Sequence, residues 1–150
     1  MKTTVKTYII TFLLTLAPVM ASAQKISLGS CNIEEQGVKG VYKGEMSGGK
    51  PYGKGSALYE NSNNYEGQFV KGKRQGYGVF TFSDGEKYEG DWVLGQQNGQ
   101  GTYYFSNNNK YVGLWYRDYQ EGHGVMYYFN GDKYDGNWFH DMRHGKGKYT

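Results

Sequence analysis

Apolar and polar side chains alternate along most of the chain after the first two dozen residues, with glycine at fixed places in the alternation. In the segment 65–69, Tyr-Glu-Gly-Gln-Phe, the aromatic residues and the glycine share every second position. The segment 76–82, Gly-Tyr-Gly-Val-Phe-Thr-Phe, alternates in the same way. A period of two is typical of strands whose two faces differ. The pattern therefore predicts short β-strands rather than helices.

Turn-forming residues separate these alternating segments. Lys-Gly-Lys at 71–73 lies within one strand pair, while Ser-Asp-Gly at 83–85 and Asn-Gly at 130–131 lie between pairs. Glycine, asparagine and aspartate tolerate the positive φ of tight hairpin turns. The order of strands and turns therefore predicts consecutive antiparallel hairpins.

The strand pair recurs every 23 residues, as copies 42–64, 65–87, 88–110, 111–133 and 134–150, the last of them incomplete. Each copy opens with Tyr-x-Gly-x and a large apolar residue, and a Gly-x-Gly pair follows in its second half. The opening residues are Tyr42, Gly44 and Met46, then Tyr65, Gly67 and Phe69, then Tyr88, Gly90 and Trp92, then Tyr111, Gly113 and Trp115, then Tyr134, Gly136 and Trp138. A single hairpin is only marginally stable in water, so the copies must stack. The sequence predicts an all-β fold: an elongated, twisted antiparallel sheet of stacked hairpin repeats.

Glycine at fixed strand positions needs a physical reason, because glycine weakens a strand. The chain has 24 glycines and 16 tyrosines, and few aliphatic residues that could form an ordinary core. We expect each missing side chain to leave room for a Tyr or Trp ring on the neighbouring backbone. Repetition of that contact would form a continuous aromatic ladder.

Residues 1–23 match a signal peptide. Lys2 and Lys6 precede an apolar stretch, and Ala-Ser-Ala at 21–23 is the small-residue pattern of a cleavage site. We expect cleavage between Ala23 and Gln24. The apolar stretch is shorter than the roughly 20 residues of a membrane-spanning helix. The sequence therefore predicts an exported protein: periplasmic, associated with the cell envelope, or secreted.

Residues 24–41 lack the repeat signature, and we expect them to cover the first end of the sheet. At the other end, residues 145–150 stop within a predicted strand. An uncovered strand edge invites pairing. The sequence favours a fragment of a longer array here over a strand that pairs with another chain.

Cys31 is the one cysteine in the chain, so no intrachain disulfide can form. Leu-Gly-Ser-Cys at 28–31 loosely resembles a lipobox, whose acylated cysteine would anchor the protein to a membrane. Gln24 and Lys25 separate it from the apolar stretch. Lipid anchoring through Cys31 is therefore the weaker alternative.

Charge excludes one class of partner. Removal of residues 1–23 takes away two of the 17 basic residues and none of the 14 acidic ones, which leaves a net charge of +1. A nucleic-acid-binding protein should present a clustered basic face. We expect no nucleic-acid partner.

The unit at 88–92, Tyr-Glu-Gly-Asp-Trp, followed by Gly95, Gly99 and Gly101, closely resembles the MORN (membrane occupation and recognition nexus) repeat, and the resemblance covers residues 42–150. Met46 and Phe69 replace Trp in the first two copies. Asp118 and Asp141 stand where other copies have glycine. The resemblance implies a scaffold for protein association, oligomerisation or attachment near membranes. Such repeats also accompany catalytic domains, notably phosphatidylinositol phosphate kinases, but nothing in this sequence supports a kinase.

Candidate chemistry is sparse. Gly48-x-x-x-x-Gly53-Lys54 approaches a phosphate loop, but Gly55 stands where Ser or Thr must hold Mg²⁺. His140 and His144 are four residues apart, a spacing that suits a metal site on a helix and here falls on a predicted hairpin. We predict no catalytic residues, no cofactor and no metal.

The sequence thus favours an exported, non-enzymatic scaffold that binds a protein partner or a second copy of itself. One alternative is a peripheral module that binds an anionic lipid surface through basic residues predicted in the turns, Lys50, Lys54, Lys71, Lys73, Arg74, Arg143 and Lys146. Another is an accessory segment of a longer enzyme. Tyr77, Tyr104 and Tyr127 offer stacking surfaces for peptide or sugar rings if they lie opposite the ladder.

Overall fold

Eleven antiparallel strands follow one another in chain order to form a single sheet in the computed structural model, which describes residues 25–150. The strands are β1 (Ile26–Glu35), β2 (Val38–Ser47), β3 (Lys50–Tyr59), β4 (Asn64–Val70), β5 (Lys73–Thr81), β6 (Lys87–Val93), β7 (Gln96–Tyr104), β8 (Lys110–Tyr116), β9 (Tyr119–Tyr127), β10 (Lys133–Phe139) and β11 (Met142–Tyr149). The predicted all-β sheet of stacked hairpins is confirmed. The predicted signal peptide, with its cleavage site between Ala23 and Gln24, lies outside the described residues.

The aromatic residues of the repeat form the core on one face of the sheet, here called the ladder face. Tyr88 is fully buried, and its ring lies over the cross-strand pair Gly90 and Gly101. A Cβ atom on Gly101 would lie 2.5 Å from ring carbons of Tyr88. This contact recurs in each copy, and it confirms the expectation that glycine makes room for the rings.

Tyrosine and tryptophan rings alternate along the ladder. Tyr88 packs edge to face against Trp92 of its own copy at 5.1 Å and against Trp115 of the next copy at 5.2 Å. Its hydroxyl donates a hydrogen bond to the Asp91 carbonyl (3.0 Å), and the Trp92 indole N–H donates one to the Gly78 carbonyl (3.2 Å). Buried polar atoms of the rings are thereby paired, as burial requires.

Successive copies are joined by hydrogen bonds along both sides of the sheet at which the strands turn. On the edge formed by the two-residue turns, here called the short-turn edge, the Gly95 N–H donates to the Arg74 carbonyl (3.0 Å). The Asp118 N–H donates to the Gln97 carbonyl (3.1 Å) in the same way. On the opposite edge, the Asn109 side chain accepts a hydrogen bond from the Phe129 N–H (3.0 Å). These bonds hold each hairpin against its neighbour.

Residues 26–35, which lie before the repeats, form a regular strand. β1 pairs along its whole length with β2, the strand that holds the opening residues of the first copy, from Ile26 opposite Ser47 to Glu35 opposite Val38. Within residues 25–150 there is no helix long and apolar enough to cross a membrane.

Candidate functional site: a groove on the ladder face

A groove of about 750 Å³ opens over the aromatic ladder between the two edges of the sheet. Its floor holds the partly exposed rings of Phe82, Tyr103 and Phe105, beneath which Trp92 and Trp115 are buried. These rings lie in, or directly after, the second strands of two successive copies, so the repeat itself builds the floor. The volume falls within the roughly 300–1,000 Å³ of ligand-binding clefts.

The rings of the floor are fixed by one another and by a carboxylate. Tyr103 lies 5.7 Å from Phe82 with the planes tilted by 43°, and 4.7 Å from Phe105 with a tilt of 46°. The Tyr103 hydroxyl donates a hydrogen bond to Glu86. Although its burial acts in the opposite direction, that bond and two from Ser106 lower the pKa of Glu86. These contacts hold the rings of the floor in place, and the ring planes are tilted against one another rather than coplanar.

One wall of the groove comes from two positions of the repeat near the short-turn edge. Counted from the opening Tyr, the tenth position holds Arg74, Gln97 and Gln120 in the second, third and fourth copies, and all three are buried. The eighth position of the next copy holds Gly95, Asp118 and Asp141 respectively. Arg74 thus meets a glycine, whereas Gln97 and Gln120 each meet an aspartate.

The groove is closed over Arg74 by the tip of the first hairpin. Glu35 and Arg74 are each only 5% exposed, and Oε2 of Glu35 lies 3.0 Å from Nε of Arg74. That contact is an ion pair without hydrogen-bond alignment, because Nε of Arg74 has no hydrogen-bond partner. Oε1 of Glu35 also has none. The Tyr59 hydroxyl donates to Oε2 of Glu35 (2.7 Å), and an Arg74 amino group donates to the Gly95 carbonyl (2.6 Å).

Aromatic rings and a missing side chain complete this closed end. The Arg74 guanidinium lies 4.3 Å from the ring centre of Trp92 and 4.8 Å from that of Phe80. A Cβ atom on Gly95 would lie 2.3 Å from Oε1 of Glu35. The Glu35 carboxylate therefore fills the space that a side chain at the eighth position would otherwise take.

The groove is open over Gln97 and Gln120. Here the eighth position supplies its own carboxylates: Asp118 accepts a hydrogen bond from the Gln97 backbone N–H, and Asp141 accepts one from the Gln120 backbone N–H, both at 2.7 Å. The side chains of all four residues line the groove. This open end presents amides, which donate and accept hydrogen bonds, beside two exposed carboxylates.

The predicted basic turns do not form one surface. Lys50, Lys71 and Lys73 lie at the turns of the first two copies, but Arg74 is buried on the ladder face and paired with Glu35. The turns of the later copies carry Leu94, then Arg117 and Asp118, then His140 and Asp141. Arg74 therefore does not belong to the basic turns assumed by the lipid-binding alternative, because its side chain is buried on the ladder face.

Three tyrosines that could serve as stacking surfaces lie on the face opposite the ladder. Tyr77 is 59% exposed and Tyr127 is 41% exposed, and both lie on the outer face with Tyr104. The Lys87 ammonium lies 4.4 Å from the ring centre of Tyr104 and donates a hydrogen bond to Glu89. The outer face therefore offers scattered rings, two of them stacked by lysines, rather than a groove.

The other sequence candidates fall on hairpins. The phosphate-loop-like segment is the turn at 48–49 together with the start of β3, and no helix follows it. His140 lies in a turn and His144 in β11. Within residues 25–150, no group of three or more His, Cys, Asp and Glu side chains could hold a metal ion.

Sequence reasoning missed Glu35, Gln97 and Gln120, which shape the groove. The repeat held a signal for two of them, because its tenth position carries a polar residue where the strand alternation calls for an apolar one. No pattern pointed to Glu35, since it lies outside the repeats.

Comparison with curated proteins finds no match. Among solved structures, the TCP domain of SAS-4 from Drosophila melanogaster is 14% identical, covers 81% of this chain and 88% of that chain, and has a TM-score of 0.25. The MORN repeat model matches residues 42–63, 65–87, 88–110, 111–133 and 134–150. With the repeated hairpins of the sheet, these five consecutive matches show that the chain belongs to the MORN repeat family.

Proposed function

We propose that this protein is an exported, non-catalytic scaffold that binds a segment of a partner protein in the groove on the ladder face. Membership of the MORN repeat family is consistent with a scaffold for protein or membrane association. The observation that favours a protein is the open end of the groove, where aromatic rings, amides and carboxylates line one concave site.

The groove is suited to a peptide because it is formed before binding. Its rings are held by neighbouring rings, and its carboxylates by backbone N–H groups. A preformed site loses little conformational entropy on binding. Aromatic walls with a few fixed polar groups are the usual composition of specific binding clefts.

The distribution of charge argues against a lipid surface as the main partner. Attraction to anionic lipid requires several basic side chains near the same surface. On the short-turn edge, Lys50, Lys71 and Lys73 are followed by turns with Leu94, Asp118 and Asp141. Membrane binding remains the alternative that the experiment below addresses.

Export is supported by the signal-peptide pattern of residues 1–23. The place of Cys31 in the sheet argues against cleavage and lipid attachment at that residue. Cys31 lies in the middle of β1, opposite Tyr42. Processing at Cys31, which lipid attachment requires, would remove half of β1 and its pairing with β2. We therefore propose cleavage after Ala23 without lipid attachment, which the N-terminal sequence and intact mass of the exported protein would test.

The ionisable groups support a non-catalytic role. Burial raises the pKa values of Tyr59, Tyr65 and Tyr88. Although burial acts in the opposite direction, hydrogen bonds from Tyr103 and Ser106 lower the pKa of Glu86. A hydrogen bond to the Glu89 carboxylate raises the pKa of Lys87. Each shift moves away from neutrality. Acid–base catalysts are instead tuned toward the working pH.

The experiment is selection of a random displayed peptide library on the purified protein, expressed from the full chain. Selected peptides are then tested against Gln120→Arg, which covers the groove with the residue that two other copies carry at this position. Gln100→Arg makes the same change on the outer face. We expect groove binders to lose at least about tenfold in affinity with Gln120→Arg only.

A different result would overturn the proposal. If no selected peptide distinguishes the two variants, and the protein instead sediments with vesicles containing anionic lipid, the membrane alternative is correct.

A further inference from the structure

We propose that the open end of the groove takes a peptide in the extended polyproline II conformation, with basic side chains at every third position facing Asp118 and Asp141. This inference rests on the proposed function and specifies the chemistry of the partner segment.

The charge of the site selects a basic ligand. Arg74 is the one cation that lines the groove in residues 25–150, and Glu35 already neutralises it. Asp118 and Asp141 remain as exposed carboxylates on the same wall. Asp118 accepts bonds from the Gln97 backbone N–H and, at 3.3 Å, from the Gln96 amide, all of them neutral donors. Neither carboxylate has a salt-bridge partner among the described residues. A lysine or arginine of the ligand would therefore form the first charge pair at each.

The spacing of the repeat selects the conformation. Equivalent residues of successive copies are two strands apart, about 9.6 Å at the usual strand separation. A polyproline II helix presents the same face every three residues, or about 9.3 Å. An extended β-strand presents the same face about every 6.7 Å, which does not match. An α-helix presents the same face about every 5.4 Å along its axis, which does not match either.

The floor and wall complement this conformation. Tyr103 is tilted by 43° and 46° against its two neighbours, so the floor has furrows between rings rather than a flat platform. Furrows accept small apolar side chains or proline rings, whereas sugar rings stack on flat exposed faces. The backbone carbonyls of a polyproline II chain lack internal hydrogen bonds. Gln97 and Gln120 line the groove and carry amides that can donate to such carbonyls.

At the closed end, the wall carries a cation, Arg74, where the wall of the open end carries carboxylates. There the groove already holds a segment of this chain, and its Glu35 carboxylate binds Arg74 beneath the first hairpin. The tenth and eighth positions together thus decide which charge the wall accepts. In the open end the cation is replaced by Gln97, and the carboxylate belongs to the wall.

The test measures fluorescence anisotropy of labelled peptides binding to the purified protein. The probe consists of four Lys-Pro-Ala triplets, which place lysine at every third position. One control peptide has the same composition, arranged so that no two lysines are three residues apart, and a second has glutamate for lysine. We expect the triplet peptide to bind at least about tenfold more tightly than either control, since only it can pair with both carboxylates.

Matched variants locate the binding. Asp118→Asn with Asp141→Asn removes both charges, while the amide oxygen can still accept the backbone hydrogen bonds. Asp91→Asn is the control, because Asp91 likewise accepts a backbone hydrogen bond, from Gln100 (3.1 Å), on the outer face. We expect the double variant to weaken triplet binding about tenfold, and Asp91→Asn to leave it unchanged.

The outcomes separate this inference from the proposed function. If library peptides depend on the groove but the triplet peptide binds no better than its rearranged control, the polyproline II inference is wrong and the scaffold stands. If no library peptide depends on the groove, both fail. Displacement of the triplet peptide by neutral oligosaccharides, with no effect of the Asn variants, would make the groove a sugar site and overturn the inference.

Discussion

Arg74 and Gln97 occupy the same position in successive copies of the repeat, yet the groove is closed over one and open over the other. The backbone pairing around them is the same: Phe69 faces Arg74 and Trp92 faces Gln97 across their hairpins. The difference comes from the side chains at the tenth and eighth positions and from Glu35, which reaches Arg74 from the first hairpin. The comparison teaches that a uniform repeat can carry unlike sites when single core positions vary.

The two ends also differ in how their polar groups are satisfied. At the closed end, a buried ion pair is supported by the Tyr59 hydroxyl and by rings stacked on Arg74. Desolvation makes such a pair costly unless hydrogen bonds complete it. At the open end, exposed carboxylates cap backbone N–H groups at little cost. The closed end depends on both partners at once, whereas the open end tolerates change.

The largest expected effect is the loss of stability at alkaline pH, which tests whether the aromatic ladder unfolds as one unit through both ends of the groove. Burial raises the pKa values of Tyr59, Tyr65, Tyr88 and Tyr111, which run through both ends. Unfolded tyrosine releases its proton near pH 10, so stability is full below that pH and falls as pH rises above it. We expect a loss of about 1.4 kcal/mol per pH unit for each buried tyrosine, and a single transition for the whole sheet. Urea unfolding at pH 9, 10 and 11 measures this; equal stability at all three would contradict it.

The second prediction breaks the closed end. Arg74→Gln gives it the residue of the open end but leaves the Glu35 carboxylate buried without its cation. We expect the free energy of unfolding to fall by about 3–5 kcal/mol. Adding Glu35→Gln removes the stranded charge and should recover most of the loss. Urea unfolding of the single and double variants measures both, and a double variant no more stable than Arg74→Gln would show that the ion pair is not the cause.

The third prediction tests the packing of tyrosine rings on glycine, which recurs along the whole ladder. Gly101→Ala places a methyl group against the Tyr88 ring, and Gly55→Ala places one against the Tyr42 ring, at 2.3 Å from its nearest atoms. We expect each to cost about 1–3 kcal/mol, because the ring cannot move without disrupting the ladder. Gln100→Ala on the outer face is the control and should change little. A tolerated alanine at either glycine would mean that ring-on-backbone packing is not required there.

The smallest expected effect concerns the open end. Asp118 has a φ of 69° and accepts the Gln97 backbone N–H. Asp118→Asn keeps an acceptor oxygen and a residue that tolerates positive φ, so we expect almost no change in stability. Asp118→Ala loses both and should cost about 1 kcal/mol. Thermal unfolding of the two variants distinguishes them, and equal melting temperatures would rule out the capping role.

The sequence predicted the ladder because its signal is local and repeated. Each opening Tyr lies over the glycines of its own hairpin, so a contact seen in one copy recurs in all five. It did not predict the groove, and Arg74, which the sequence placed among the basic turn residues, is buried instead. Arg74 is one residue from Lys73 at the turn, and the face of the strand separates the two.

By itself, the sequence determined the strand order, the hairpin register and the stacking of rings on glycine, because all three depend on residues within about 23 positions of one another. Only the tertiary structure decided which end of the groove is closed. That outcome depends on Glu35, which lies 39 residues before Arg74 and meets it because the first hairpin folds over the ladder face. No local pattern encodes such a contact, and its stability comes from burying a charge pair that neither segment could bury alone.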